Sequence, residues 1–290
     1  MNDSLTIGEA VPLGTVHLQR LLAGAGVRSL VIKGPAFSEL GVRAERQSSD
    51  IDLLIHPDDR AGATATLVRA GWSIISYWFP PALDDVIYST TFRHQRFPTP
   101  LDLHHCFSGL LQDAGTTFEA LWQQRTTVQV AHQEVVTVGR DHALVLEALN
   151  AMKLLPAERR MGAVERVVDT AGGGDPADVA AAAESVGARH TADPLITALG
   201  RPAPSSPPPP GLEQWLRRGA RNSGRRLIVD LLVRAPWQIP RVVWGQLTID
   251  PDTARFWAEA HRVPYRNRWQ VLGLRVRRLF RRYAPSGRSS

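Results

Sequence analysis

Only one cysteine, Cys106, occurs among the 290 residues. An internal disulfide is therefore excluded, and a disulfide scaffold with it. Long apolar runs are also missing: none approaches the roughly 20 residues that a membrane-spanning helix requires. The opening MNDSLTIGEAVPLG has no basic stretch followed by an apolar one, so it does not read as a secretory signal. These absences together point to the cytoplasm. Lysine is nearly absent, with Lys33 and Lys153 the only two and the other 32 basic residues arginine. No Gly-x-Ser-x-Gly elbow or Cys-x-x-Cys pair is found, and Gly172-Gly173-Gly174 lacks the Lys-Ser/Thr that would follow in a phosphate loop. There is no internal repeat.

What is present fits a globular chain. The sequence is 43% hydrophobic and 21% charged, enough to bury a core, and its length suits about two domains. Charge is distributed unevenly. From Leu212 onward, 17 arginines stand against five acids, a net +12, while the remainder carries 17 basic and 23 acidic residues, a net −6. An acidic body with a basic end implies a polyanionic partner, a membrane surface, or docking of the end on the body.

The patterning predicts an α+β fold with a mixed sheet. Helices are expected over 15–25, 36–40 and 58–70, and strands over 29–33, 50–55, 72–78, 86–94 and 101–105. A hairpin is expected over about 126–138. Strand formers thin out from Arg140, and helices are expected over 141–155, 161–171, 175–186 and 191–199. The run RPAPSSPPPPG at 201–211 reads as a stiff linker. The basic region after it is expected to be helical at about 212–234, 252–261 and 266–283. The implied organisation is an α/β domain over 1–139, a helical segment packing on it over 140–200, the linker, and a basic helical region over 212–290.

The chemistry concentrates in VIKGPAFSELGVRAERQSSDIDLLIHPDD, residues 31–59. Asp50 and Asp52 flank Ile51 in an expected strand, so both carboxylates point to one face while Ile51, Leu53 and Ile55 point to the other. Paired carboxylates repel unless a cation neutralises them, and a hard divalent ion with oxygen ligands does so. Clustered acids of this kind therefore predict that Asp52→Asn leaves the metal-free fold as stable as before, or slightly more so. Asp102, with Leu101 and Leu103 on the opposite face, supplies a third carboxylate beside His104. Three such acids suit two metal ions, one activating a hydroxyl and one binding a triphosphate, with Asp102 the candidate base. His104, His105 and Cys106 suggest zinc at first sight, but adjacent strand residues face opposite sides and no second ligand cluster accompanies them.

Lys33-Gly34-x-Ala36, Arg46, Ser49-Asp50-Ile51-Asp52-Leu53-Leu54 and Leu101-Asp102-Leu103-His104 together resemble the uncharacterised bacterial nucleotidyltransferase family of the DNA polymerase β-like superfamily. The resemblance covers about residues 30–105 and extends faintly to 170, where Lys153 and Asp169 fall at plausible positions. It implies transfer of a nucleoside monophosphate from an NTP to an acceptor hydroxyl of a small molecule, peptide or protein, in a biosynthetic setting. Mg2+ is implied, two ions, with Mn2+ as a substitute. Asp50, Asp52 and Asp102 would be the metal-binding and catalytic residues. Lys33, Gly34, Arg46, Ser49 and Lys153 would serve the nucleotide. Pro35 replaces the serine that the wider superfamily carries after this glycine, and it has no N–H for a phosphate. Lys33, Arg43, Arg46, Ser48 or Ser49 would have to take over. The alternative is a binding or accessory protein on a degenerate scaffold, acting through its basic tail. Lys33 itself is expected at the pocket mouth, opposite the Asp50–Asp52 face; the competing reading is that it pairs with Asp50 or Asp52 and keeps an empty site stable.

Overall fold

The computed structural model describes residues 5–75, 88–202, 204, 206–217, 232, 233, 235–240, 244, 248, 249, 251–260 and 263–283. Residues 5–74 and 88–217 form one compact unit, and the described residues from 232 onward form a second. Among the described residues no helix is long and apolar enough to cross a membrane.

The first unit is built on a mixed seven-stranded sheet. Its strands are β1 (Ser29–Val31), β2 (Ile51–Ile55), β3 (Trp72–Ile75), β4 (Ser89–His94), β5 (Leu101–His104), β6 (Thr126–Val130) and β7 (Gln133–Thr137), in the spatial order β3-β4-β5-β2-β1-β7-β6. β2 runs parallel to β5, and β1 parallel to β7. β1 is antiparallel to β2, β4 to β5, and β6 to β7. Helices follow as α1 (Ile7–Gly24), α2 (Gly34–Glu39), α3 (Arg60–Arg69), α4 (Ala114–Gln123), α5 (Arg140–Met152), α6 (Ala157–Ala171), α7 (Pro176–Ser185), α8 (Asp193–Ala198) and α9 (Leu212–Arg217).

Each face of the sheet carries its own apolar cluster. Ile51, Leu53 and Ile55 of β2 pack with Val11, Leu18 and Leu22 of α1 and with Ala63 and Leu67 of α3. Leu30, Ile32 and Leu54 pack on the other face with Phe118 of α4 and the buried sides of α5, α7 and α8. The strand alternation of β2 thus places Asp52 on the α5 side, next to core. Its position in mid-sheet explains why all five residues of β2 are buried, where the sequence pattern suggested one wetter face.

Three elements differ from the sequence expectation. Helix α1 begins at Ile7 rather than 15, because Thr6 and Glu9 form a reciprocal cap at its start. It accepts Pro12 at the loss of one backbone hydrogen bond, offset by burial of Ala10, Val11, Val16, Leu18 and Leu22. Gly14 lets this helix approach β2 closely: a Cβ there would lie 2.6 Å from Ile51 Cδ1 and from the Phe97 ring. Helix α4 has no counterpart in the sequence reading; Asp113 caps it by accepting from Thr116 N at 2.9 Å. Of the helix expected over 212–234, α9 is seen, while residues 218–231 and 234 lie outside the described residues. So do 76–78 and 86–87 at the ends of two expected strands.

Polar side chains lock the short central strands. Gln19 Nε2 donates to Ser29 O and Val136 O, and its Oε1 accepts from Val136 N. Thr137 Oγ1 donates to Val31 O at 2.7 Å. This bracing holds β1, and hence the turn after it.

His142 in α5 is buried, with Nε2 2.9 Å from Ser185 Oγ at the end of α7. Burial lowers its pKa from 6.5 to about 4. A depressed folded value gives stability that is complete above 6.5 and is lost as pH falls toward 4. At about 1.4 kcal/mol per pH unit, stability should drop on the order of 3 kcal/mol across that window. Urea denaturation at stepped pH checks this, and His142→Asn should flatten that part of the profile.

The second unit has a small cluster of Ile249, Ala254, Ala258 and Val271, joining helix Pro251–Ala260 to helix Arg268–Tyr283. Asn267 Oδ1 accepts from Gln270 N at 2.9 Å and starts the latter helix. Trp237, Trp244 and Trp269 are exposed in this unit.

Candidate active site

The site grows from the β1–α2 turn and the neighbouring strands β2 and β5. Parallel pairing sets Asp52 directly beside Asp102 and Leu54 beside His104. Since alternate residues share a face, Asp52, Asp102 and His104 converge. One ligand atom from each lies within 4.8 Å of the others, the geometry of a metal-binding group. Asp50 is in the bend just before β2, not in the strand, and its Oδ1 accepts from Ser49 Oγ at 3.1 Å.

Asp52 is 6% exposed and His104 1%. Lys33 Nζ donates to Asp52 Oδ1 at 2.5 Å. His104 Nε2 lies 2.8 Å from the same oxygen, a contact that requires Nε2 to carry the proton. Asp102 Oδ1 accepts from Thr91 Oγ1 at 2.6 Å. Tyr88 stacks on the His104 ring at 5.6 Å, and Phe107 lies 6.3 Å from that ring on a tilted plane.

The electrostatics follow from this packing. Burial is the largest influence on Asp52 and pushes its carboxyl up, but the His104 hydrogen bond and the Lys33 charge outweigh it and hold the value below the usual carboxylate range. Burial likewise pulls Lys33 down, while Asp52, Asp102 and Asp50 together keep it above its ordinary value. Asp50 is pushed up by burial and then by the charges of Asp52 and Asp102. It stands at the entrance to β2, two residues before Asp52, and is not part of the metal-binding group.

Lys33 reaches Asp52 through an unusual backbone, φ 67° and ψ −159°, a region that costs a non-glycine residue on the order of 1–3 kcal/mol. The turn aims the ammonium back onto β2, so Lys33 is bonded to Asp52 rather than standing at the pocket mouth. Gly34 follows at φ 54°, and a Cβ there would lie 3.4 Å from Ser48 Oγ.

The remaining sequence candidates are spread around this centre. Ser49 bonds Asp50. Arg46 is exposed and lines a cavity of about 860 Å³ with Ser48, Pro35, Ser38, Glu39 and Gln47. Lys153 caps α5, and its Nζ lies 5.5 Å from the centre of the Tyr88 ring. It therefore sits one ring beyond His104.

Two participants receive no site role from sequence. His104 shares the Asp102 face and closes the Leu101–His104 motif, and the only role weighed for it is a zinc ligand with its chain neighbours. Here it joins the aspartates instead. Glu147 of α5 is 8% exposed and feels the charges of Arg46, Lys33, Asp52 and Lys153; burial, the largest influence, pushes its carboxyl up. Arg43 Nε lies 3.7 Å from Glu147 Oε1. An acid on an otherwise apolar helix face (Ala143, Leu144, Ala148) was the available signal.

The donor set suits a hard divalent cation. Two carboxylates stand side by side, a third borders them, and among the described residues the hydrogen bonds of Asp52 and Asp102 both fall on Oδ1. The second oxygens can then meet a cation.

Comparison with known proteins gives one family. Residues 13–155 match the model of a family described as "Uncharacterised nucleotidyltransferase". No curated protein matches the chain. Solved structures that resemble it include the lincosamide antibiotic adenylyltransferase LnuA with lincomycin bound, at 14% identity and TM-score 0.36, covering 54% of this chain and 93% of that one. The antibiotic-resistance factor ANT(2'')-Ia is similar at 14% identity and TM-score 0.40, covering 62% and 93%. An antigenic nucleotidyltransferase-like protein from Paracoccidioides brasiliensis is similar at 16% identity and TM-score 0.39, covering 65% and 93%.

Proposed function

We propose, from the premise that residues 13–155 belong to the uncharacterised nucleotidyltransferase family, that the protein transfers a nucleoside monophosphate from an NTP to a hydroxyl of a small-molecule, peptide or protein acceptor. The observation that carries this reading is the parallel Asp52–Asp102 register with His104 beside it, within the matched segment.

Asp52 and Asp102 would hold Mg2+ or Mn2+, with Asp50 at the border for a second ion. The bound cation supplies charge neutralisation for the triphosphate and lowers the pKa of a bound hydroxyl. His104 fixes the Asp52 carboxylate by its Nε2–H. The Asp102 carboxylate takes the proton of the acceptor hydroxyl. The acceptor oxygen then bonds to the α-phosphorus as the bond to the bridging oxygen breaks, and pyrophosphate leaves with that electron pair. Pro35 offers no N–H, so phosphate contacts fall to Lys33, Arg46, Ser48 and Ser49, with Lys153 more remote. A non-catalytic role draws on one observation, the lysine already neutralising Asp52.

Incubation with α-labelled and γ-labelled NTP, Mg2+ and hydroxyl-bearing acceptors tests the reading. The α label should enter the acceptor and the γ label should appear in pyrophosphate. The reverse pattern would mean phosphoryl transfer, and neither label moving would favour the non-catalytic role.

The basic region would supply a polyanion contact. Its exposed Trp237, Trp244 and Trp269 favour an anionic membrane surface, where indoles sit at the interface and arginines meet headgroups. Deleting residues 262–290 removes nine arginines. At about 1 kcal/mol per arginine near the surface, binding to phosphatidylserine vesicles should fall well over tenfold. Loss of RNA binding without any vesicle binding would point to nucleic acid instead.

A further inference from the structure

The ammonium of Lys33 already neutralises the carboxylate on which a cation at Asp52 would depend. It is bonded to Asp52 Oδ1, also feels the charges of Asp102 and Asp50, and belongs to a residue 8% exposed. A strained backbone delivers it there. A second buried group is poorly matched. Glu147 Oε2 is buried without a hydrogen-bond partner among the described residues, and Arg43 Nε, 3.7 Å from Oε1, makes no hydrogen bond either. Glu147 is carried by α5, which packs on the sheet face that Asp52 shares with Leu54, and it feels the charges of Lys33 and Asp52 there.

We propose that Lys33 is a resident counter-cation which a divalent ion displaces from Asp52, and that Glu147 is the positioning residue that receives the displaced ammonium. The inference rests on the cation site of the proposed function. An ammonium on one oxygen of a carboxylate and a divalent ion on the other repel strongly in a buried site. The ammonium is the one that can leave, being a point charge on a flexible stem. Displaced into a buried setting, it needs an acceptor oxygen, and Glu147 Oε2 is a buried acceptor within its field. Without a cation, Lys33 keeps the three aspartates from repelling one another. With one bound, the ammonium is released toward Glu147 and stands ready for the nucleotide's phosphates. His104, which also bonds Asp52 Oδ1, is packed against Tyr88 and Phe107 and stays in place.

The chain's two lysines make the displacement visible in the wild-type protein. With 13Cε-labelled lysine, two side-chain signals are expected, assigned with Lys153→Arg. Titrating Mg2+ without nucleotide should shift the Lys33 signal in a saturable way, and a Lys33 signal unmoved by bound Mg2+ would overturn the proposal. Mn2+ binding to the full-length protein, read from the electron paramagnetic resonance of free Mn2+, gives the energetics. Lys33→Met should bind Mn2+ about tenfold more tightly than wild type, as expected when a neighbouring positive charge is removed. Glu147→Gln should bind about tenfold more weakly. In the Lys33→Met background the same Glu147→Gln change should cost less than about threefold, because the coupling runs through the ammonium. Equal Mn2+ affinity in wild type and Lys33→Met would refute displacement while leaving the cation site standing. An undiminished Glu147→Gln effect in the double variant would refute the role of Glu147. Absence of Mn2+ binding in all variants would refute the cation site itself, and the proposal with it.

Discussion

Asp52→Asn is expected to abolish nucleotidyl transfer and also to destabilise the metal-free protein. Reasoning from the acids alone gives the opposite sign for stability, since removing one of three neighbouring carboxylates relieves repulsion. The structure reverses that expectation because Asp52 is the shared partner of Lys33 and His104. An asparagine at this position could accept one hydrogen bond but would leave a buried ammonium without its counter-charge. Removing one member of a buried ion pair costs on the order of 3–5 kcal/mol, so the loss should be plain in urea denaturation at neutral pH. The pH dependence gives an independent check. The folded carboxyl of Asp52 is held below its ordinary value. Its stabilising contribution is therefore present above the unfolded value of about 3.9 and is lost as pH falls through the folded one. Wild type should lose stability in that acid range, and Asp52→Asn, already lacking the contribution, should lose less there.

Asp102→Asn is expected to remove catalysis with little effect on stability. Asp102 is half-buried, and its bond is to Thr91 Oγ1, which an asparagine oxygen can accept equally well. The stability change should stay within about 1 kcal/mol, the net worth of one such hydrogen bond. Turnover should fall by at least about a thousandfold, because the variant lacks both a cation ligand and the group that takes the acceptor's proton. The pair of variants thus separates two roles that look identical in sequence. Each aspartate is expected to be needed for transfer, but only Asp52 is expected also to hold the fold together. Thermal melts together with single-turnover assays on the two variants check the separation.

Strand alternation made the carboxylate face legible from sequence. Asp52 and Asp102 each lie between apolar residues two apart, and such a pattern fixes the face once the strand is recognised. The parallel register that sets them side by side depends on crossover topology and was not readable. The partners of Asp52 were less legible still. Lys33 reaches it only because its φ is positive, which nothing in VIKGP announces for the lysine itself. Glu147 is 95 residues from Asp52 and meets the site only after α5 packs on the sheet. Helix α1 is expected over 15–25 from its apolar spacing, whereas the Thr6–Glu9 cap and the burial of Ala10 and Val11 start it at Ile7. Helix α4 was hidden by an opening, Ala-Gly-Thr-Thr, made of weak helix formers.

The central claim is that Asp52 and Asp102 together hold the cation on which nucleotide binding depends. Calorimetric titration of each NTP into the full-length protein, with Mg2+ and with chelator, tests it most directly. At least one NTP should bind wild type with Mg2+ present and lose that binding when the ion is chelated, and Asp102→Asn, which remains folded, should bind it weakly under both conditions. NTP binding that is equally tight without a divalent ion, or unchanged in Asp102→Asn, would contradict the account.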